Sequence, residues 1–183
     1  TSWMRALVAE NNISHNDLVL PIFVREGKNI IESIKTMPGV KRYSIDKLPM
    51  ILKQVRKYKI PMVALFPYTS QKHKDVLGSE ALNTNNLICK SLRLIKKKFP
   101  DIGVMCDVAL DPYTSHGHDG VMIKNKIDND ETINILIQQA LLHAKMGCDV
   151  IAPSDMMDGR IGAIRKALDK NNFKDISLSL IHI

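Results

Sequence analysis

Most of the chain's reactive chemistry lies in one run, Asp107-Val108-Ala109-Leu110-Asp111-Pro112-Tyr113-Thr114-Ser115-His116-Gly117-His118-Asp119-Gly120. The run starts within an apolar strand, Ile102 to Leu110, and opens into a loop. It carries carboxylates at 107, 111 and 119, imidazoles at 116 and 118, and two glycines. Packing requires none of this. Acid, base and potential metal ligands delivered together at a strand end mark the place where α/β folds put function. A second segment, Ala152-Pro153-Ser154-Asp155-Met156-Met157-Asp158-Gly159-Arg160, also follows a strand. Turn chemistry covers part of it, with Asp158 expected to cap the next helix. Ser154 and Asp155 are left without a packing reason, next to the Asp107 loop in a parallel sheet.

The elements that must position these residues alternate in type. Apolar runs at Leu18–Val24, Pro61–Pro67, Ile102–Leu110 and Asp149–Pro153 predict buried strands, and Ile176–Leu180 begins a fifth. Between them, helical spacing predicts helices over Ile45–Tyr58, Leu87–Phe99, Glu131–Met146 and Ile161–Leu168. Strands that are apolar on both faces, each followed by an amphipathic helix, predict a parallel sheet with covered faces. The helix-to-strand joints are short, whereas residues 26–44, 68–83 and 111–130 form long strand-to-helix joints. Elaborated loops therefore gather at the C-terminal ends of the strands. Both a (β/α)₈ barrel and an open doubly wound sheet bind ligands there, so the asymmetry leaves both architectures open.

Composition narrows the class further. The chain has 183 residues, 45% hydrophobic and 25% charged, enough for one globular domain with a sizeable core. No apolar run approaches the roughly 20 residues of a membrane span, and no secretory signal is visible at the N-terminus. Cys89, Cys106 and Cys148 lack CxxC spacing and are expected to be reduced, structural thiols. The net charge of +7 comes largely from lysines between Lys41 and Lys98, with the run Lys96-Lys97-Lys98 closing a helix as a solvated face. No aromatic residue lies within that run to serve as a stacking platform, so no nucleic-acid partner is expected.

The motifs together resemble the delta-aminolevulinic acid dehydratase (porphobilinogen synthase) family. The matching segments are LVLPIFVREG (18–27), MPGVKRYSID (37–46), VALFP (63–67), DVALDPYTSHGHDG (107–120) and APSDMMDGRIGAIRKALD (152–169). This resemblance implies an α/β fold, the (β/α)₈ TIM barrel. The chain would cover about the first four βα units and the start of strand five, as one partial domain over 1–183, with residues 1–17 as the remnant of an N-terminal arm. It also implies a cytoplasmic hydro-lyase of haem and porphyrin biosynthesis, a homo-octamer when full length, that condenses two molecules of the substrate 5-aminolevulinate.

The same resemblance assigns roles. Asp107 becomes an active-site carboxylate and Ser154 a hydroxyl lining the substrate site, against plain readings of a strand-paired acid and a capping serine. Asp111 and Asp119 would lie over the site on a mobile lid, with Gly117 and Gly120 supplying backbone freedom. Zinc-using members carry cysteines where this chain has Ala109, Asp111 and Asp119. The resemblance is therefore to the zinc-independent, aspartate-rich branch stimulated by Mg²⁺. The main allosteric Mg²⁺ ligand would lie outside this chain, and Asp155 would support that ion through water. The spacing of His116 and His118 with Asp111 also allows a zinc set. Phe66 and Tyr113 are expected to pack at the barrel mouth, Met156 and Met157 in the core, and His15, His73 and His143 on the surface.

The family's two Schiff-base lysines lie on later strands, the first just after the strand that begins at Ile176. The chain ends Ser177-Leu178-Ser179-Leu180-Ile181-His182-Ile183 without reaching either. On this reading the chain as given is inactive. The alternative reading is a half-barrel that acts only as an association fragment, with exposed edges on its first and fifth strands.

Overall fold

The structure is a computed structural model that describes residues 1–179. Five parallel strands carry it: β1 (Val19–Arg25), β4 (Met62–Tyr68), β5 (Gly103–Val108), β8 (Val150–Pro153) and β9 (Ser177–Leu178). Two hairpins supply β2 (Ile31–Ser33) with β3 (Lys41–Ser44), and β6 (Val121–Ile123) with β7 (Lys126–Asp128). The helices are α1 (Ser2–Leu7), α2 (Leu48–Lys57), α3 (Leu87–Lys98), α4 (Asn129–Lys145) and α5 (Arg160–Lys170). In the parallel sheet the spatial order is β1-β4-β5-β8-β9, so each strand lies beside the next one in the chain. A doubly wound sheet reverses direction partway. Unreversed order, with right-handed crossovers through α2, α3, α4 and α5, puts the helices on one face and curls the sheet as a (β/α)₈ barrel does.

The strands are apolar on both faces, but only one face is covered. Val104, Cys106 and Val108 are buried, whereas Gly103, Met105 and Asp107 between them are half-buried. The covered face joins Leu48, Leu52, Ile88, Leu92, Leu136, Ala140, Ile164 and Leu168 in one core with Val63, Leu65 and Ile151. Each of the Leu, Ile and Val side chains among these contributes about 1.5–3 kcal/mol by leaving water. The other face follows the register, with Phe23 opposite Phe66, Ala64 opposite Met105, and Asp107 opposite Ala152. Phe23 and Phe66 stack there at 5.6 Å.

Two features depart from the sequence reading. The 26–44 joint is a hairpin whose β3 pairs in parallel with Phe23–Arg25, so the expected bare edge of β1 is covered over its C-terminal half. Arg25 and Arg42 both pair with Glu32 across it, and Arg42 lies 4.0 Å over the Tyr68 ring. Among the described residues nothing pairs with the outer edge of β9. Lys96 is not simply a solvated charge. It pairs with Asp149 at the start of β8 and donates to the Ile102 carbonyl at 3.3 Å. One unit earlier, Arg56 pairs with Asp101 at the start of β5. The face away from the long loops is thus stapled unit to unit, as befits the stability side of such a fold. No residue of α1 is buried, and Trp3, Leu7 and Ile13 are 63%, 78% and 85% exposed.

Candidate active site

Parallel register sets Asp107 opposite Ala152, which brings the residue two beyond, Ser154, over the end of β5. The Ser154 hydroxyl donates to Asp107 Oδ1 at 2.6 Å. This bond accounts for Ser154 and displaces the capping reading. The helix that follows is capped by Gly159 with no side-chain bond. Asp158, expected as its cap, instead donates its backbone N–H to Asn129 Oδ1 at 2.8 Å. Asp107 and Ser154 line a hollow of about 90 Å³ with Ala64, Phe66, Met105 and Ala152. Burial, aided by the charges of Asp111 and Asp155, lifts the Asp107 carboxyl to about 6 against the lowering effect of the Ser154 bond. That value suits an acid–base group working near neutrality.

Above it, Asp111 is raised by burial and then by the charge of Asp119, so the two carboxylates share one neighbourhood. The imidazoles serve the loop itself. His116 Nε2 donates to the Val76 carbonyl at 3.3 Å, its Nδ1 accepts from His118 N at 3.2 Å, and His118 Nδ1 accepts from Gly120 N at 3.1 Å. These contacts tie both rings to backbone groups of the loop and its neighbour. Gly117, at φ +73°, supplies the left-handed backbone expected of it. Gly120 is not a hinge: a Cβ there would lie 2.5 Å from Ile127 Cγ2 and 3.1 Å from Thr132 Oγ1, so glycine is needed for close packing. Tyr113 is buried beneath the loop, and Met157 is buried as expected. Met156 is 71% exposed, contrary to its assignment to the core.

Ala109 is buried and offers no ligand, and the three cysteines are free and buried elsewhere. Cys106 precedes Asp107 in the strand and so points into the helix layer. Among the described residues no three His, Cys, Asp or Glu side chains gather in metal-binding geometry. A thiolate zinc cage does not fit this donor set. The Asp155 side chain is fully buried. It accepts from Met157 N at 2.8 Å and lies 3.0 Å from Arg160 Nε, misaligned for a hydrogen bond. Burial raises its carboxyl, and these two partners pull against that rise.

His143, like Met156, departs from its expected place: it is fully buried, not on the surface. Helical spacing predicts an apolar stripe on α4 through Ile133, Leu136, Ile137, Ala140, Leu141 and Ala144. Leu136, Ala140 and Ala144 are buried as expected, but Thr132, Gln139 and His143 complete the buried face, while Ile133, Ile137 and Leu141 are only partly buried. Thr132 Oγ1 accepts from Val121 N at 2.9 Å, and Gln139 Nε2 donates to the Ala109 carbonyl at 3.3 Å. Polar groups thus face inward on α4 partly because they hold the β5 loop.

A singly wound parallel sheet with a carboxylate–hydroxyl pair at its C-terminal mouth defines about half of a (β/α)₈ barrel. A family model described as delta-aminolevulinic acid dehydratase matches residues 1–180. The chain belongs to the delta-aminolevulinic acid dehydratase family. It is 52% identical to the enzyme of that name from Bradyrhizobium diazoefficiens, over 96% of this chain and 50% of the relative. It is 42% identical to that of Ruminiclostridium josui, over 96% of this chain and 84% of the relative. A crystal structure of the Toxoplasma gondii enzyme, in complex with its reaction product porphobilinogen, superposes with a TM-score of 0.92 at 39% identity. That match covers 97% of this chain and 51% of the other. The chain spans about half the length of the Bradyrhizobium relative.

Proposed function

We propose that the protein to which this chain belongs is a porphobilinogen synthase, which joins two 5-aminolevulinate molecules with loss of two waters in tetrapyrrole synthesis. The observation that carries the reading is the Asp107–Ser154 bond at the mouth of β5 and β8. Condensation of two amino-ketones requires protons to leave carbon and nitrogen and to reach departing oxygens. With its carboxyl at about 6, Asp107 is mostly ionised at pH 7 and protonated in roughly a tenth of molecules. It can therefore take a proton and return it, while Ser154 orients it. Asp111 and Asp119 add negative charge above, where a cationic amine or iminium would be stabilised.

By the same family reading we propose Mg²⁺ rather than Zn²⁺ as the stimulating ion, an octameric assembly and a cytoplasmic location. Carboxylates at 111 and 119 favour a hard cation. The exposed apolar side chains of α1 favour association. Among the described residues no helix is long and apolar enough to cross a membrane. Activity is expected to survive a zinc chelator and to rise with added Mg²⁺; loss of activity with zinc, restored by zinc alone, would reject the metal assignment.

The functional reading is tested by joining residues 1–176 to the remaining half of the Bradyrhizobium relative and supplying 5-aminolevulinate. Porphobilinogen, detected colorimetrically, is the expected product. A folded chimera without turnover would remove the reading.

A further inference from the structure

We propose that Asp75, on the connection between β4 and α3, is a positioning residue that holds the Asp111–Asp119 loop over the Asp107 hollow. Its catalytic consequence rests on the porphobilinogen synthase reading. The β4–α3 connection is tied to the carboxylate loop at several points. Asp75 donates its N–H to the Tyr113 carbonyl at 3.2 Å, and its own carbonyl accepts from Ser115 N at 2.9 Å. These bonds form a parallel bridge between Asp75 and Thr114. On either side, Lys74 Nζ donates to the Asp111 carbonyl at 3.3 Å, and Val76 accepts the His116 ring N–H.

The backbone at Asp75 is held in this posture by its own carboxylate. Oδ1 accepts from Leu77 N at 2.9 Å and from Ser79 N at 3.0 Å. Such a turn is local and self-contained. Burial pushes the Asp75 carboxyl up, but the donors at Ser79, Leu77 and Gly78 outweigh it and keep the group ionised. From the bridge the constraint passes onward. Thr114 is buried, and its hydroxyl donates to the His118 carbonyl at 2.9 Å. Asp119 then sits between His118 and Gly120, and Gly120 is packed against Thr132 and Ile127. The carboxylate loop is thus held on one side by the β4–α3 connection, with the Asp75 bridge between the Lys74 and Val76 contacts, and on the other by the packing of Gly120. Asp75 hydrogen-bonds to neither Asp107 nor Ser154. It acts through Asp111, whose charge bears on Asp107.

The test uses the active chimera and reads loop motion and turnover separately. Asp75→Ala is expected to raise deuterium uptake of residues 111–120 about fivefold. It is also expected to lower kcat about tenfold with KM changed less than twofold, since small misplacement of reacting groups is costly. Asp75→Asn keeps an Oδ1 acceptor and is expected to restore both values. Thr114→Val cuts the same tether one bond further on, and the same rise in uptake is required of it if Asp75→Ala does not fold. Unchanged uptake in either alanine or valine variant overturns the tether, whatever the turnover. Raised uptake with unchanged kcat overturns the positioning role. An unsubstituted chimera that makes no porphobilinogen removes the functional reading instead.

Discussion

Asp107 and His143 are both driven toward the uncharged state by burial, yet they occupy regions of opposite use. Asp107 stands on the face turned away from the helices, beside a hollow, with a hydroxyl on one oxygen and two other carboxylates near it. His143 is sealed inside the helix layer, and neither ring nitrogen has a partner among the described residues. Desolvation alone moves a titration. Proton-transfer chemistry also requires a partner and a route to a substrate. The two groups also weigh on stability at opposite ends of the pH scale. Native Asp107 holds its proton up to about 6 and an unfolded one to about 3.8, so folding stability falls as pH rises through that window. Native His143 accepts a proton only below about 4 and an unfolded one below about 6.5, so stability falls as pH drops through that window.

The largest expected effect breaks the comparison on the Asp107 side. Asp107→Asn should lower porphobilinogen formation by the chimera about a thousandfold. It should not destabilise the fold at pH 7, because the charge it removes is a desolvated one. Turnover within tenfold of the parent would show that Asp107 is only a packed acid. On the other side, His143→Leu should leave turnover unchanged and abolish the acid-side loss of stability, which is about 3 kcal/mol between pH 6.5 and 4. Denaturant melts at pH 7 and pH 5 check this, and a parallel loss in both proteins would place the proton elsewhere.

A smaller effect sharpens the picture at the mouth. Ser154→Ala removes the bond that lowers the Asp107 carboxyl, so its midpoint should move above 6 and turnover should fall about tenfold. Carbon-13 NMR of labelled aspartate reads the midpoint, and a downward movement would contradict the geometry. The smallest expected signal is none at all. Cys89, pushed up to about 11 chiefly by burial, should resist iodoacetamide at pH 7.5 until the chain is unfolded.

The five parallel strands and four large helices were legible because each is a contiguous apolar run or a clean helical stripe. The two hairpins were not. Ile31-Glu32-Ser33 and Lys41-Arg42-Tyr43-Ser44 are short and polar, and they pair only because β1 offers them an edge. The second hairpin turns on Lys124-Asn125, both at positive φ (48° and 60°), without the glycine that usually announces such a turn. At the site, Asp107 and Ser154 were legible from their strand ends. The inward face of α4 was half legible: Leu136, Ala140 and Ala144 belong to its apolar stripe, but tertiary contacts select Thr132, Gln139 and His143 over the more apolar Ile133, Ile137 and Leu141. Gly120 looked like a hinge because sequence does not reveal what presses against a missing Cβ.

The unreversed order of β1, β4, β5, β8 and β9 has a consequence for how the molecule is made. Each strand finds its partner already present in the portion of polypeptide that left the ribosome before it. The nascent sheet can then lengthen one unit at a time, without waiting for a distant segment to be inserted between finished strands. The Ser154 hydroxyl reaches Asp107 only after 47 further residues have been synthesised. The Asp107–Ser154 pair therefore closes only when β8 joins a template that the units N-terminal to it have already laid down.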